Sequence, residues 1–409
     1  MSINETPSGE RLHIGIFGRR NAGKSSLINA ITGQDLAIVS DVKGTTTDPV
    51  KKAMELLPLG PVVLIDTPGL DDEGLLGQKR MEKALQALRQ TDIVILTIPA
   101  DAALDGLEKT LIQEAKKRGL PFFVVLNKTD LLADKKQIEE KEKEIAQALS
   151  IPLDVIVAVS ADKNEGIHVL KEKLANGIPK EQERPLIHDL LSPGDLVVLV
   201  VPIDSAAPKG RLILPQQQVI RDSLEVGAVP VVTRDSELAQ ALSSLGKKPR
   251  LIVTDSQVFG VVAKIVPKDI PLTSFSILMA RYKGDLEVQI AGAKAIETLQ
   301  DGDTVLISEG CTHHRQCDDI GTVKMPRWIK EYTGKDLQFA FTSGGEFPKD
   351  LSPYAMVVHC GGCTLPLQEM RYRISYGAKQ EVAITNYGVM IAYIHGILPR
   401  VTEIFVDKK

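Results

Sequence analysis

The sequence predicts an α/β protein: an N-terminal domain built on a mostly parallel sheet, followed by two smaller α/β domains. Three observations carry that expectation. From Leu12 to Leu174, short apolar runs alternate with charged, amphipathic stretches of helical length, the pattern of a helix-covered parallel sheet. Gly177–Pro185 then breaks the rhythm with two prolines and four charges, and Val266–Pro271 breaks it again. At 409 residues the chain also exceeds one compact domain of about 100–200 residues. The expected domains are therefore 1–176, 186–266 and 272–409.

Composition narrows the function. The chain is 43% hydrophobic and 25% charged, which excludes a disordered or collagen-like polymer. A net charge of -4 with 4% aromatic residues disfavours stable nucleic-acid binding, which calls for a basic face and stacking rings. With no signal-like start and no apolar run of membrane-spanning length, a soluble cytoplasmic protein without a membrane partner is expected. All 4 cysteines fall between Cys311 and Cys363, which in that compartment favours a metal site over disulfides.

In the first domain the predicted strands are Ile14–Phe17, Val62–Ile65, Ile93–Ile98, Phe122–Leu126 and Val155–Ala158. Directly after the first comes Gly18-Arg19-Arg20-Asn21-Ala22-Gly23-Lys24-Ser25, opening onto the helical pattern Ser26–Ile31. Such a P-loop wraps backbone N–H groups around phosphates at a positive helix end. Lys24 then reaches the β- and γ-phosphates, and the Ser25 hydroxyl coordinates Mg2+.

Asp66-Thr67-Pro68-Gly69 ends the next strand, placing a carboxylate near Mg2+ and a glycine N–H near the γ-phosphate. Asn127-Lys128-Thr129-Asp130 follows the Phe122 strand, where the Asp130 carboxylate can accept from the guanine N1 and N2 donors. Adenine would present that carboxylate with an acceptor, so the pattern selects GTP. Ser160-Ala161 fits the last base-contacting loop by its order. The residue after Gly69 is Leu70, which cannot orient a water as a glutamine does, so hydrolysis should be slow. Asp71, Asp72 and Glu73 offer carboxylates for that task but read equally well as a solvated loop.

The second domain is expected to hold strands Leu196–Val201, Val229–Val232 and Leu251–Thr254 with a helix over Glu237–Leu245, and nothing in it looks catalytic. The third carries strands Thr304–Ile307 and Tyr354–Val358, followed respectively by Cys311-Thr312-His313-His314 and His359-Cys360-Gly361-Gly362-Cys363. A C-x-x-C turn with glycines brings two thiolates onto one ion or cluster. If the two strands are parallel, both loops lie at one sheet edge. Zinc suits the donors as well as an iron–sulfur cluster does, and a fourth position is left to His313, His359, Cys317, an acidic residue or solvent.

The first 175 or so residues resemble the translation-factor-related GTPases, in the branch that holds the bacterial tRNA-modification and ribosome-assembly GTPases. Gly44-Thr45-Thr46-Thr47-Asp48 looks like that branch's first switch, which makes Thr46, with Thr45 as its competitor, the second hydroxyl on Mg2+. Relatives with an asparagine at the place of Asn21 hold K+ there, so the resemblance implies activation by K+; the plainer reading of Asn21 is that it shapes the loop. Lys24, Asn21 and Thr46 are the catalytic candidates. Gly18, Ala22, Gly23, Ser25, Ser26, Asp66, Gly69, Asn127, Lys128, Asp130, Ser160 and Ala161 complete the GTP site.

Over its whole length the chain is similar to the FeFe-hydrogenase maturation GTPases. The similarity rests on the P-loop, Asp66–Asp72, Cys311–His314, Asp319-Ile320-Gly321 before Pro326-Arg327-Trp328, and His359–Cys363. It implies GTP-binding, dimerising and cluster-binding domains, and a 4Fe-4S cluster on Cys311, Cys360 and Cys363 with an exchangeable fourth ligand. It further implies a homodimeric scaffold that receives a diiron precursor from radical-SAM maturases and delivers it to the apo-hydrogenase, with GTP as the switch. The rival reading is a zinc-containing GTPase acting in tRNA modification or ribosome assembly.

Overall fold

The computed structural model describes residues 6–34, 49–69, 74–104, 106–177, 185–203, 212–310 and 319–405, with backbone alone at 74–79. The chain divides into two compact units, Met1–Glu181 and Gln182–Lys409.

The first unit is built on strands β1 (Leu12–Gly18), β2 (Val50–Leu56), β3 (Gly60–Asp66), β4 (Ile93–Pro99), β5 (Phe122–Asn127) and β6 (Ile156–Ala158). They form one sheet in the order β2-β3-β1-β4-β5-β6, parallel except where β2 runs antiparallel to β3. Successive side chains of a strand point to opposite faces, and here both faces are buried. Phe17, Val63, Ile65, Val94, Leu96, Val124 and Leu126 pack with the helices Gly74–Arg89, Gly106–Lys117 and Lys135–Leu149. On the other face Ile14, Ile16, Val62, Leu64, Ile93, Ile95 and Val125 pack with Lys24–Thr32 and Ile167–Asn176. Strand β2 is absent from the sequence reading because Lys51, Lys52 and Glu55 leave it polar; it sits at the sheet edge, where one neighbour suffices.

The second unit holds β7 (Leu196–Val200), β8 (Val229–Thr233), β9 (Leu251–Thr254), β10 (Leu272–Ser274), β11 (Thr304–Glu309), β12 (Gln338–Ser343), β13 (Met356–His359) and β14 (Ala383–Asn386). They make two four-stranded sheets, β10-β9-β7-β8 and β12-β11-β13-β14. Every pairing in both is parallel. One apolar cluster draws on both sheets, joining Val198, Val200 and Ile252 to Val305, Ile307, Met356 and Val358 through the helix Tyr387–Ile394. Strand β10 pairs with β9, so the second sheet continues past the proline-rich segment 266–271. The short strands β10, β12 and β14 escaped the sequence reading: runs of three to six residues mixing Thr, Ser and Asn with apolar residues carry little periodicity.

Candidate functional site

Strand β1 delivers the chain to Gly18, from which the loop turns into the helix Lys24–Thr32. Asn21 (φ 58°) and Gly23 (φ 86°) both take left-handed backbone. Asparagine tolerates that region better than most residues, so Asn21 does shape the loop. A side chain at Gly23 would strike the Asn127 amide, and one at Gly69 would lie 2.8 Å from Arg20 Cα, so the loop after β3 packs directly on the P-loop. The Lys24 side chain is buried, and its ammonium donates to the carbonyls of Gly18 (3.0 Å) and Arg19 (2.7 Å), which hold it over the loop.

Opposite the helix start, Asp66 closes β3 in register with Ile16, and Ser25 Oγ donates to Asp66 Oδ2 at 3.4 Å. Burial pushes the Asp66 carboxyl up, against the lowering pull of Lys24, the Ser25 hydroxyl and Lys52. Its other oxygen, Oδ1, is buried and meets no hydrogen-bond donor among the described residues. A buried oxygen lacking a donor beside a hydroxyl is the donor set a hard divalent cation takes, so Ser25 and Asp66 fit Mg2+.

Two loops complete this site. Asn127 ends β5; its Nδ2 donates to Ala22 O at 3.0 Å, and its Oδ1 accepts from Ala161 N at 3.1 Å. The P-loop and the loop after β6 are thereby fixed through one side chain. Lys128 follows with left-handed backbone (φ 62°), and Ser160 Oγ donates to Asp130 Oδ1 at 2.6 Å. That bond, ahead of the nearby lysines 163 and 128, holds the Asp130 carboxyl below its ordinary range and therefore ionised, as a base-reading acceptor must be. Of the residues predicted to bind GTP, those at 18, 21–26, 66, 69, 127, 128, 130, 160 and 161 are described; Thr45, Thr46 and Leu70–Glu73 lie outside the described residues. The sequence reading missed Glu108, whose buried carboxylate grips Arg19 of the P-loop at 2.6 and 3.3 Å; no motif marks it, because it comes from a helix ninety residues away.

The cysteine site follows β13. Strands β11 and β13 are parallel, with Ser308 opposite His359, so both chain segments leave the sheet at the same edge as expected. Gly310, the residue before Cys311, donates its N–H to Cys360 Sγ at 2.9 Å, and Gly362 N approaches the same sulfur at 3.4 Å. Thr364 Oγ1 returns a bond to Gly310 O at 3.0 Å. Gly362 is left-handed (φ 62°), and a side chain there would strike Met370. Burial and the neighbouring Cys360 push the Cys363 thiol up, while Lys283 pulls it down. Amide donors aimed at its sulfur suit Cys360 to a metal-bound thiolate, and Cys363 lies close enough to couple to it, so the pair fits a place in a cluster.

Cys311, His313, His314 and Cys317 lie outside the described residues. Among the described residues no three Cys, His, Asp or Glu side chains converge as a metal site. His359 is described and turns elsewhere: Nδ1 donates to Cys360 O at 2.7 Å, and Nε2 meets Arg373 Nη1 at 3.0 Å. Both ring nitrogens are thus engaged, and the imidazole braces the loop instead of facing the thiols. Arg373, fully buried, also pairs with Glu369 at 2.8 Å and donates to Gly344 O at 2.9 Å.

Residues 13–128 match the 50S ribosome-binding GTPase model, 186–284 the hydrogen maturase F dimerization domain, and 287–404 the hydrogen maturase F tetramerization domain. The N-terminal unit is therefore a GTPase domain, and the α/β class expected from sequence holds throughout. Among curated proteins, GTPase Der of Kosmotoga olearia is 34% identical over 170 residues, covering 40% of this chain and 38% of its own. The tRNA modification GTPase MnmE of Ligilactobacillus salivarius is 36% identical over 169 residues, covering 41% and 34%. The chain thus spans little more than a third of the length of these relatives. Among solved structures, Aquifex aeolicus Era bound to GDP.AlF4- aligns at 20% identity and TM-score 0.37, over 57% of this chain and 98% of that one. No helix among the described residues is long and apolar enough to cross a membrane.

Proposed function

The chain belongs to the hydrogen maturase F family, its two C-terminal domain models together covering more than half of the sequence, and we propose that it is a slow, switch-like GTP hydrolase that scaffolds hydrogenase maturation. In this reading the cargo is a diiron precursor: radical-SAM maturases load it, the apo-hydrogenase receives it, and a 4Fe-4S cluster on Cys311, Cys360 and Cys363 holds it. The observation that carries the reading is the bond from Gly310 N to Cys360 Sγ, because it ties the peptide preceding Cys311 to the second cysteine pair beyond β13.

In the first unit the work falls to this chain's own groups. The P-loop amides and Lys24 bind the phosphates, Ser25 and Asp66 hold Mg2+, and Asp130, kept ionised by Ser160, reads guanine. Mg2+, when bound, neutralises the charge that develops on the phosphates. Thr46 supplies the second switch hydroxyl, and Asn21 carries K+ where a glutamine is lacking after Gly69. In the second unit the loop amides of Gly310 and Gly362 support the Cys360 sulfur, and His359 fixes the loop's entry. A cluster with an exchangeable ligand supplies a site to which cargo can bind and from which it can leave. Residues 186–266 serve dimerisation; the dimerization-domain model that supports this reading matches residues 186–284.

The test is anaerobic reconstitution of the full chain with iron and sulfide, then reduction and EPR. A cubane-type signal with iron uptake is expected. A colourless, iron-free protein, or one holding stoichiometric zinc, would sink the scaffold reading and return the chain to an RNA-directed GTPase. Replacing Na+ by K+ should accelerate GTP turnover; equal rates would remove the role given to Asn21.

A further inference from the structure

We propose that Lys283 is a positioning residue for the Cys360–Cys363 loop, and that its buried charge raises the reduction potential of the iron–sulfur group the loop holds. The inference rests on the scaffold reading above. Lys283 ends the helix Phe275–Lys283 and is 1% exposed. Its ammonium donates to Cys363 O (2.8 Å) and Leu365 O (2.8 Å) and approaches Gly362 O at 3.4 Å. An ammonium has three donors and no acceptor capacity, and burying it is costly unless those donors are met. Here three acceptors come from the turn that carries the thiols.

The turn whose carbonyls at Gly362, Cys363 and Leu365 meet the ammonium also brings the Gly362 N–H to Cys360 Sγ, as the end of β11 brings the Gly310 N–H. One cation is thus bonded to the same turn that carries an amide towards the sulfur. The same helix lines the loop at its other end, where Ser276 and Met279 lie nearest Gly361. Among the described residues, charged groups near the loop include Arg373, which reaches it through His359 and is paired with Glu369, and Glu309, which accepts from Tyr387 at 3.2 Å.

Reduction adds an electron to a group already bearing thiolate charge. A positive charge in the protein interior favours the reduced form, and weak screening there lengthens its reach. Neutralising Lys283 should therefore make the group harder to reduce. A purely structural lysine would change iron retention or folding without moving the potential in a charge-dependent way.

The experiment is an EPR-monitored redox titration of the anaerobically reconstituted full chain, carried out on the wild type, Lys283→Gln and Lys283→Arg. Gln keeps N–H donors and loses the charge; Arg keeps N–H donors and the charge. The expected result is wild-type iron content in all three, a midpoint shifted to more negative potential in Lys283→Gln, and a wild-type midpoint in Lys283→Arg. An unchanged midpoint in Lys283→Gln, or equal shifts in both variants, would overturn the proposal. If Lys283→Gln fails to fold by circular dichroism, Lys283→Met takes its place; collapse of both neutral variants while Lys283→Arg folds would assign Lys283 a structural role and also overturn it. Failure of the wild type to take up iron is a separate outcome, which sinks the scaffold reading on which the proposal rests.

Discussion

The side-chain amide of Asn127 donates to the carbonyl of Ala22 at 3.0 Å, so the loop proposed to read the base and the loop proposed to bind phosphates are held by one residue. Its oxygen accepts from Ala161 N at 3.1 Å, which adds the third nucleotide loop to the same anchor. Removing both bonds at about 1 kcal/mol each should weaken GTP binding by roughly 30-fold in Asn127→Ala. Isothermal titration with GTP and GDP checks this, and equal losses for both are expected because Asn127 touches loops common to the two nucleotides.

Guanine selection should survive mild acid and depend on Ser160. The Asp130 carboxyl is held below its ordinary value of 3.8 chiefly by the Ser160 hydroxyl. A carboxyl lowered on folding contributes its ionised form above its ordinary value and loses it only as pH falls through the lower folded value. Ser160→Ala should move the acid limb of GTP binding upward in pH. Binding measured between pH 3 and 7 decides it, and coincident acid limbs would show that Ser160 does not govern Asp130. In Asp130→Asn, the preference for GTP over ATP should fall.

Magnesium should stabilise the first unit more as pH rises. Burial raises the Asp66 carboxyl above its ordinary value of 3.8. For an acid raised in this sense, the neutral form stabilises the metal-free fold below the ordinary value, and that contribution disappears as pH rises through the folded value. Protons and Mg2+ compete for the same carboxylate, so the thermal shift produced by Mg2+ should grow as pH rises above the ordinary carboxyl value of 3.8 and shrink strongly in Asp66→Asn. A Mg2+ shift independent of pH in the wild type would place the ion elsewhere.

The pair Arg373–Glu369 should matter more when broken than when replaced. Both groups are buried, with Nε and Oε1 2.8 Å apart. Arg373→Met strands the Glu369 carboxylate and should cost about 3–5 kcal/mol, whereas adding Glu369→Leu should recover much of that loss. Trp328, the chain's 1 tryptophan, sits in the helix Met325–Thr333 of the second unit, so its fluorescence during urea unfolding reports on this unit alone.

What the sequence determined is what local order can encode. Continuous apolar runs buried on both faces specified the parallel sheet around Ile14–Phe17 and Ile93–Ile98, and contiguous loops such as 18–25 and 360–363 announced their chemistry because their donors come from neighbouring residues. The tertiary structure alone decided which distant groups complete those loops. Glu108 reaches Arg19, Ser160 reaches Asp130, Arg373 turns His359 away from the thiols, and Lys283 meets the carbonyls of Cys363 and Leu365 some eighty residues on. Each is a single polar side chain on an otherwise ordinary helix or loop. A lone charge has no periodicity, and its partner is fixed only when parallel strands and their crossover helices bring remote segments to the same sheet edge.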